Sequence, residues 1–496
     1  MVFESLSGVV LALLLATALY SFGSILRRMF LHPLSGYPGP WLGKFTDIPG
    51  MAPVIQRRRT QSNHELLRRY GSCVRLGTNH LLFCARESIV DIYGQSSSPC
   101  LKDGALYGGL SVSGAVNLLN AVDREQHARL RRLASHSFSM QSLLKSEALI
   151  QEKVDEYVSV FKDGNSRVNI LERTYMLMLD IVSQFSFGES LDCLNGRNAQ
   201  APADVKAFFT VIPPLSFAPF LRYLPIKSIQ EGRKGVFRLD SFSRDCVASY
   251  LSRQEKHRGD VAKSKLFLER MANAVDAETG TSMTQVELVE NATIFLVAGV
   301  GTTAATILYL IWECGQQHDV RRKLIEEMRR EFPDPSIAPT YEKASKLKFL
   351  SYVVDETLRL RGPLNGGAPR ISPGKTIAGR WVPKGVKVET NIYTTARDPE
   401  VFPSPDQFEP SRWETATPEM RQMSRPFSYG PRNCIGRHLA EVIILLTISR
   451  LYQLYDVIPD ASLTPDKMQQ LDLGVLEPGC DEFFVEVVPQ SNLLSC

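Results

Sequence analysis

Phe427-Ser428-Tyr429-Gly430-Pro431-Arg432-Asn433-Cys434-Ile435-Gly436 places one cysteine among two glycines, an arginine and an aromatic residue, just before an apolar run of helical character. A free thiol titrates near about 8.5 and is mostly protonated at neutral pH, so a functional thiolate needs a stabilising partner. The helix beginning near Ile435 offers one, because its first N–H groups are unpaired and lie at the positive end of the dipole. Gly430 and Gly436 let backbone approach a flat cofactor closely, and Arg432 can pair with a carboxylate on it. A lone cysteine is ordinarily a small buried apolar residue. In this frame Cys434 reads as a thiolate bound to haem iron, a known role of single cysteines.

Working outward, Asp355-Glu356-Thr357-Leu358-Arg359 sets a carboxylate and a guanidinium three apart on one face of an apolar helix, where they can pair. Further on stands Phe408-Glu409-Pro410-Ser411-Arg412-Trp413. Upstream, Thr284-Gln285-Val286-Glu287 has capping-box form and opens a proline-free, largely apolar run from Leu288 to Trp312. Its centre reads Ala298-Gly299-Val300-Gly301-Thr302-Thr303. Small residues and threonines often mark tight helix packing, with threonine bonding its own backbone. In Asp123-Arg124-Glu125-Gln126-His127-Ala128-Arg129-Leu130-Arg131-Arg132, His127 and Arg131 share a helix face.

These segments together resemble the cytochrome P450 family. The frame Phe-x-x-Gly-x-Arg-x-Cys-x-Gly is similar to its haem-binding loop, and the match runs from residue 32 or so to the cysteine. The resemblance implies a mainly α fold with small β-sheets (α+β) behind an N-terminal transmembrane helix. It implies iron protoporphyrin IX ligated by Cys434, with Arg432, His127, Arg131 and Arg370 of Ala368-Pro369-Arg370 at the propionates. It also implies a buried Glu356/Arg359/Arg412 network, and a distal helix on which Gly299 leaves room for dioxygen and Thr302 orders it. Two departures stand out. Ser411 replaces the glutamate more usual before the network arginine. Gly301 stands where the family usually has an acid, which opens the question of how protons arrive.

Residues 6–26 carry no charge, enough to cross about 30 Å of hydrocarbon as a helix. No basic n-region or small-x-small cleavage site accompanies them, so they read as a retained anchor. Arg27 and Arg28 follow and put the remainder on the cytosolic side. The proline-rich stretch His32 to Trp41 cannot continue the helix and resembles the hinge of microsomal members. The expected layout is an anchor at 6–26, a hinge at 27–45 and a haem-thiolate domain at 46–496, in the endoplasmic reticulum membrane as a single-pass protein.

At 496 residues, 44% hydrophobic and 22% charged, the chain can bury a substantial core. Nine scattered cysteines without paired spacing argue for reduced thiols and against a structural metal site. A net charge of +4 is too small to imply nucleic acid. The cations of Arg129, Arg131, Arg132, Arg421, Arg425, Arg437 and His438 fall on segments expected to frame the proximal haem face, where an acidic electron donor can dock.

The function these readings support is a monooxygenase. It uses O2 and electrons from NADPH-cytochrome P450 reductase, with cytochrome b5 as a second candidate donor, to hydroxylate or epoxidise a lipophilic secondary metabolite of polyketide or terpenoid type. Within the family the hinge, the Arg397 to Trp413 stretch and the haem loop look most like membrane-bound fungal enzymes. Gly301 keeps open an alternative, a haem-thiolate enzyme of rearrangement, cyclisation, dehydration or peroxide chemistry. A non-catalytic haem protein is a third reading.

Overall fold

Thr284 and Glu287 close the capping box that the sequence suggests: the Glu287 N–H donates to Thr284 Oγ1 at 3.2 Å and the Thr284 N–H to Glu287 Oε2 at 2.9 Å. With those donors satisfied and no proline to interrupt it, the central helix runs Gln285–Gln316. Almost all of its side chains from Leu288 to Cys314 are buried, as expected for a helix apolar on every face. It is the one helix among the described residues long and apolar enough to cross a membrane, yet 83% of its most apolar window is buried inside the protein, so it forms the core.

The computed structural model describes residues 12–162, 167–256 and 267–490, apart from 14, 18, 21 and 218. Of the expected anchor 6–26, residues 6–11, 14, 18 and 21 lie outside the described residues, as does Cys496. The described part of that stretch is helical up to Leu26, and Leu15, Leu19 and Phe22 are exposed. Overall the protein is mainly helical with small sheets, as the sequence suggests.

The chain forms two compact units, Met1–Cys100 with Gly366–Thr395, and Leu101–Asn365 with Ala396–Cys496. In the first, strands Cys73–Gly77, His80–Phe83, Lys387–Thr390 and Arg370–Ile371 lie side by side in that order. His80–Phe83 pairs parallel with Lys387–Thr390, and the other two pairings are antiparallel. Part of the proline-rich segment packs onto this sheet. The Arg75 N–H donates to Pro38 O at 2.7 Å, and the buried Arg75 guanidinium binds the carbonyls of Leu34, Lys44, Gly77 and Thr78. Gly39 sits so close to Arg75 that a Cβ would lie 2.4 Å from its carbonyl oxygen, at a φ of +156°.

The second unit wraps helices around Gln285–Gln316. Helix Leu171–Phe187 lies against it and stops at Gly188, whose φ of +84° is left-handed backbone that glycine adopts freely. Helices Ala201–Phe217 and Lys227–Lys256 pack together on the same side. Helix Arg437–Leu454 follows the cysteine loop and leads into Tyr455–Pro459, which pairs with Phe484–Pro489 and through it with Arg167–Asn169. A last hairpin, Gln470–Asp472 with Leu476–Pro478, sets Leu471 opposite Glu477 and lies against the central helix.

Candidate active site

The cysteine loop is built by local backbone bonds. Ser428 and Gly430 take positive φ values of 63° and 74°, and the turn they make is closed by the Cys434 N–H donating to Phe427 O at 3.0 Å. The following helix begins at Arg437 with Gly436 as its cap, two residues later than the sequence suggests. That offset matters, because it leaves the N–H groups of Gly436 and Arg437 aimed at the sulfur. Burial pushes the Cys434 thiol up from its ordinary value, while those N–H groups and the Arg131 and Arg437 charges work against it without cancelling it.

Two arginines lace this loop to the helix Arg124–Ser135. Arg131 donates from Nη1 to Asn433 O at 2.8 Å and from Nη2 to Asn433 Oδ1 at 2.5 Å. Arg432 runs the other way, binding the carbonyls of Ala121, Val122 and Asp123. Asp123 caps that helix by accepting from the Gln126 N–H at 2.8 Å. His127 is buried one turn before Arg131. Arg370 belongs to the first unit, where it is buried, donates to Pro369 O and stands over the Tyr93 ring at 5.3 Å.

Helix residues Phe295, Ala298, Gly299 and Thr302 follow at i, i+3, i+4 and i+7, and form the open stripe of the otherwise buried central helix. Ala298 is exposed at mid-helix, within the stretch of small residues that the sequence set apart. Thr302 Oγ1 donates to Ala298 O at 2.8 Å, so its hydrogen is used within the helix and its lone pairs remain to accept. A Cβ at Gly299 would meet Val182 at 3.2 Å, so this glycine lets helix Leu171–Phe187 come close. Phe138 links the two sides of the site, about 4.0 Å from where a Gly436 Cβ would stand and 5.0 Å, ring to ring, from Phe295.

Behind the loop, Glu356 is the centre of a wholly buried network. Its carboxylate accepts from Arg359, from Arg412 Nε at 3.0 Å, from Trp413 Nε1 at 2.9 Å and from the Glu409 N–H at 2.9 Å. Ser411 is exposed and takes no direct part in binding Glu356. Glu409 instead supports Arg412, its Oε2 accepting from Nη2 at 3.1 Å.

The sequence of residues 34–481 matches the profile of the family described as Cytochrome P450. This chain belongs to the cytochrome P450 family. Among curated proteins it is 29% identical over 468 residues to cytochrome P450 monooxygenase ORF9 of Penicillium roqueforti (strain FM164), covering 89% of this chain and 87% of that protein. It is 30% identical to cytochrome P450 monooxygenase astJ of Aspergillus oryzae (strain ATCC 42149 / RIB 40), over 87% of each. It is also 30% identical to averantin hydroxylase of Dothistroma septosporum (strain NZE10 / CBS 128990), over 92% of this chain and 87% of that one.

The P450 is thus a haem-thiolate monooxygenase that takes dioxygen, a redox partner and a small-molecule substrate. Its residues fit a haem. Cys434 carries open surface although protein encloses it on nearly every side, so its sulfur faces an internal space. The stripe of Ala298 and Thr302 is likewise bare in the middle of a core helix. Of the cations expected to frame the proximal face, Arg129 pairs with Glu287 at 2.8 Å and Arg132 with Asp276 at 2.6 Å. Those two tie the helix to the first turn of the central helix and to the segment before it, which single-residue reading of a basic stretch could not reveal.

Proposed function

We propose that this P450 oxygenates a lipophilic fungal secondary metabolite of polyketide type, with Cys434 as the thiolate that would bind the haem iron. The observation that carries the ligand assignment is the enclosed sulfur, facing an internal space with two backbone N–H groups aimed at it. The polyketide class is supported by the resemblance to averantin hydroxylase, over 92% of the chain. When bound, the haem supplies dioxygen activation, with the thiolate pushing electron density toward O–O cleavage. The chain's own residues orient and enclose. Arg131, Arg432, His127 and Arg370 would hold the propionates of a bound haem, Gly299 and Ala298 keep the distal helix slim, and the Thr302 hydroxyl would accept from and order a water.

Electrons come from NADPH-cytochrome P450 reductase or cytochrome b5, docking on the cations that intramolecular pairs leave available, Arg437 among them. Residues 6–26 form a single membrane anchor, residues 27–45 lead from it, and residues 46–496 form the catalytic part on the cytosolic side of the endoplasmic reticulum. The bare apolar side chains of Leu15, Leu19 and Phe22 support the anchor.

The ferrous carbon monoxide difference spectrum of the expressed protein and of Cys434→Ser tests the ligand. A thiolate-type Soret band in the wild type that the variant lacks is expected; the same band in both would assign the iron to another residue. Averantin, incubated with reductase and NADPH, is the first substrate probe.

A further inference from the structure

Gly301 lacks the acid usual at its position, and the structure brings a carboxylate to the same place from elsewhere in the chain. A Cβ built on Gly301 would stand 3.1 Å from Glu477 Oε1 and 3.7 Å from the Phe209 ring. Glu477 lies on strand Leu476–Pro478 of the C-terminal hairpin and is only 4% exposed. A buried carboxyl of this kind is costly unless charge or hydrogen bonds meet it. What meets it is a small polar cluster. Tyr175 of helix Leu171–Phe187 hydrogen-bonds it, and Lys206 of helix Ala201–Phe217 faces it with its charge, its ammonium 4.6 Å over the Tyr175 ring. Tyr309, on the central helix, and Cys480, beyond the strand, also face this cluster.

Burial pushes the Glu477 carboxyl up from its ordinary value; Lys206 and Tyr175 draw it back only in part. The same burial, with Glu477 beside it, holds the Tyr175 hydroxyl well above its usual range, so Tyr175 stays protonated. Lys206 is partly exposed and so links the cluster to solvent. A buried carboxyl whose proton affinity is raised in this way is suited to proton transfer.

We infer that Glu477 is the proton-delivering carboxyl of this P450, reaching from the hairpin to the place where a side chain on Gly301, the residue before Thr302, would begin, with Lys206 as its link to solvent. The inference rests on the monooxygenase reading above, whose distal side consumes protons. The Glu477 O–H gives its proton to a water ordered by Thr302. The carboxylate left behind is stabilised by the Lys206 ammonium, and bulk water returns a proton to it. Nothing in the cluster is oxidised or reduced. Glycine at 301 then has a positive reason: a side chain there would crowd the Glu477 oxygen. The acid has moved in sequence and stayed in space.

Infrared spectra of the full-length, haem-loaded protein across pH, in H2O and in D2O, test this directly. A protonated-carboxyl band that shifts on deuteration is expected in the wild type, absent from Glu477→Gln, and titrating at higher pH in Lys206→Met. Identical carboxyl bands in wild type and Glu477→Gln would overturn the assignment. Should that variant fail to fold, Lys206→Met carries the test, and an unmoved titration would overturn it.

Reductase-supported NADPH consumption gives the second readout. It is expected to fall about 100-fold in Glu477→Gln. Unchanged consumption in a Glu477→Gln protein that keeps its carbon monoxide band would overturn the inference. A wild-type protein without that band would instead overturn the ligand reading, whatever the carboxyl spectra show.

Discussion

Glu356 grips Arg359 at both ends of its carboxylate, with Nε on Oε2 and Nη2 on Oε1, each at 2.8 Å, and neither side chain exposed. Arg412, Trp413 and the Glu409 N–H complete the set, so Glu356→Ala strands the Arg359 guanidinium in the interior and leaves Arg412 only the Glu409 carboxylate. A loss of about 3–5 kcal/mol is expected. Trp413→Phe removes one hydrogen bond to a charged group and costs about 1.5–3 kcal/mol. Urea unfolding of both variants checks the order; a Glu356→Ala protein as stable as wild type would mean that the network contributes nothing.

Two glycines of the central helix are expected to respond differently to alanine. At Gly315 a Cβ would fall 2.1 Å from Pro459 Cδ, a ring fixed to the backbone that cannot swing aside. Gly315→Ala should cost about 1–3 kcal/mol through overpacking. At Gly299 the neighbour is the Val182 methyl at 3.2 Å, which needs to move only a few tenths of an ångström. There the helix propensity gained by alanine, about 1 kcal/mol, offsets the crowding. Melting temperatures should therefore fall for the first variant and barely move for the second.

Acid stability should carry the mark of Glu389. Burial alone would raise this carboxyl, but Arg59 and His80 outweigh it and bring it from 4.5 down to about 2. A depressed carboxyl stabilises the fold above its unfolded value, and that stabilisation disappears as pH falls from about 4.5 to about 2, a loss on the order of 3 kcal/mol. Glu389→Gln should flatten this part of the pH profile. An acid-unfolding curve unchanged in the variant would show that the pairing is energetically idle.

Deleting residues 1–26 should release the protein from membranes, because it removes the exposed Leu15, Leu19 and Phe22. Fractionation after alkaline carbonate washing reads the outcome. If the truncated protein still resists extraction, other surface holds it to the bilayer, with Phe220 and Tyr223, both exposed, the next residues to test.

What the sequence revealed were features set by short spacing. The capping box, the Glu356–Arg359 pair and the cysteine loop each lie within ten residues, and local geometry alone brings their groups together. The helix after Cys434 starts two residues late because Gly436 serves as its cap, a distinction too fine for a hydrophobic pattern. Glu477 gave no signal at all: it sits in a weakly patterned hairpin, and only the fold carries it to Gly301. The support that Ser411 withholds from Arg412 comes from Glu409, whose reach depends on the turn in which both sit.

Arg131 bonds the backbone and side chain of Asn433, and Arg432 bonds the carbonyls of Ala121, Val122 and Asp123, so the two segments are laced together within the polypeptide. The walls around Cys434 are therefore held by the chain's own bonds. Little ordering entropy is left to be lost on docking. The protein meets its cofactor as a stiff socket, so the contacts made by Cys434 and the propionate-binding side chains are offset by little loss of freedom.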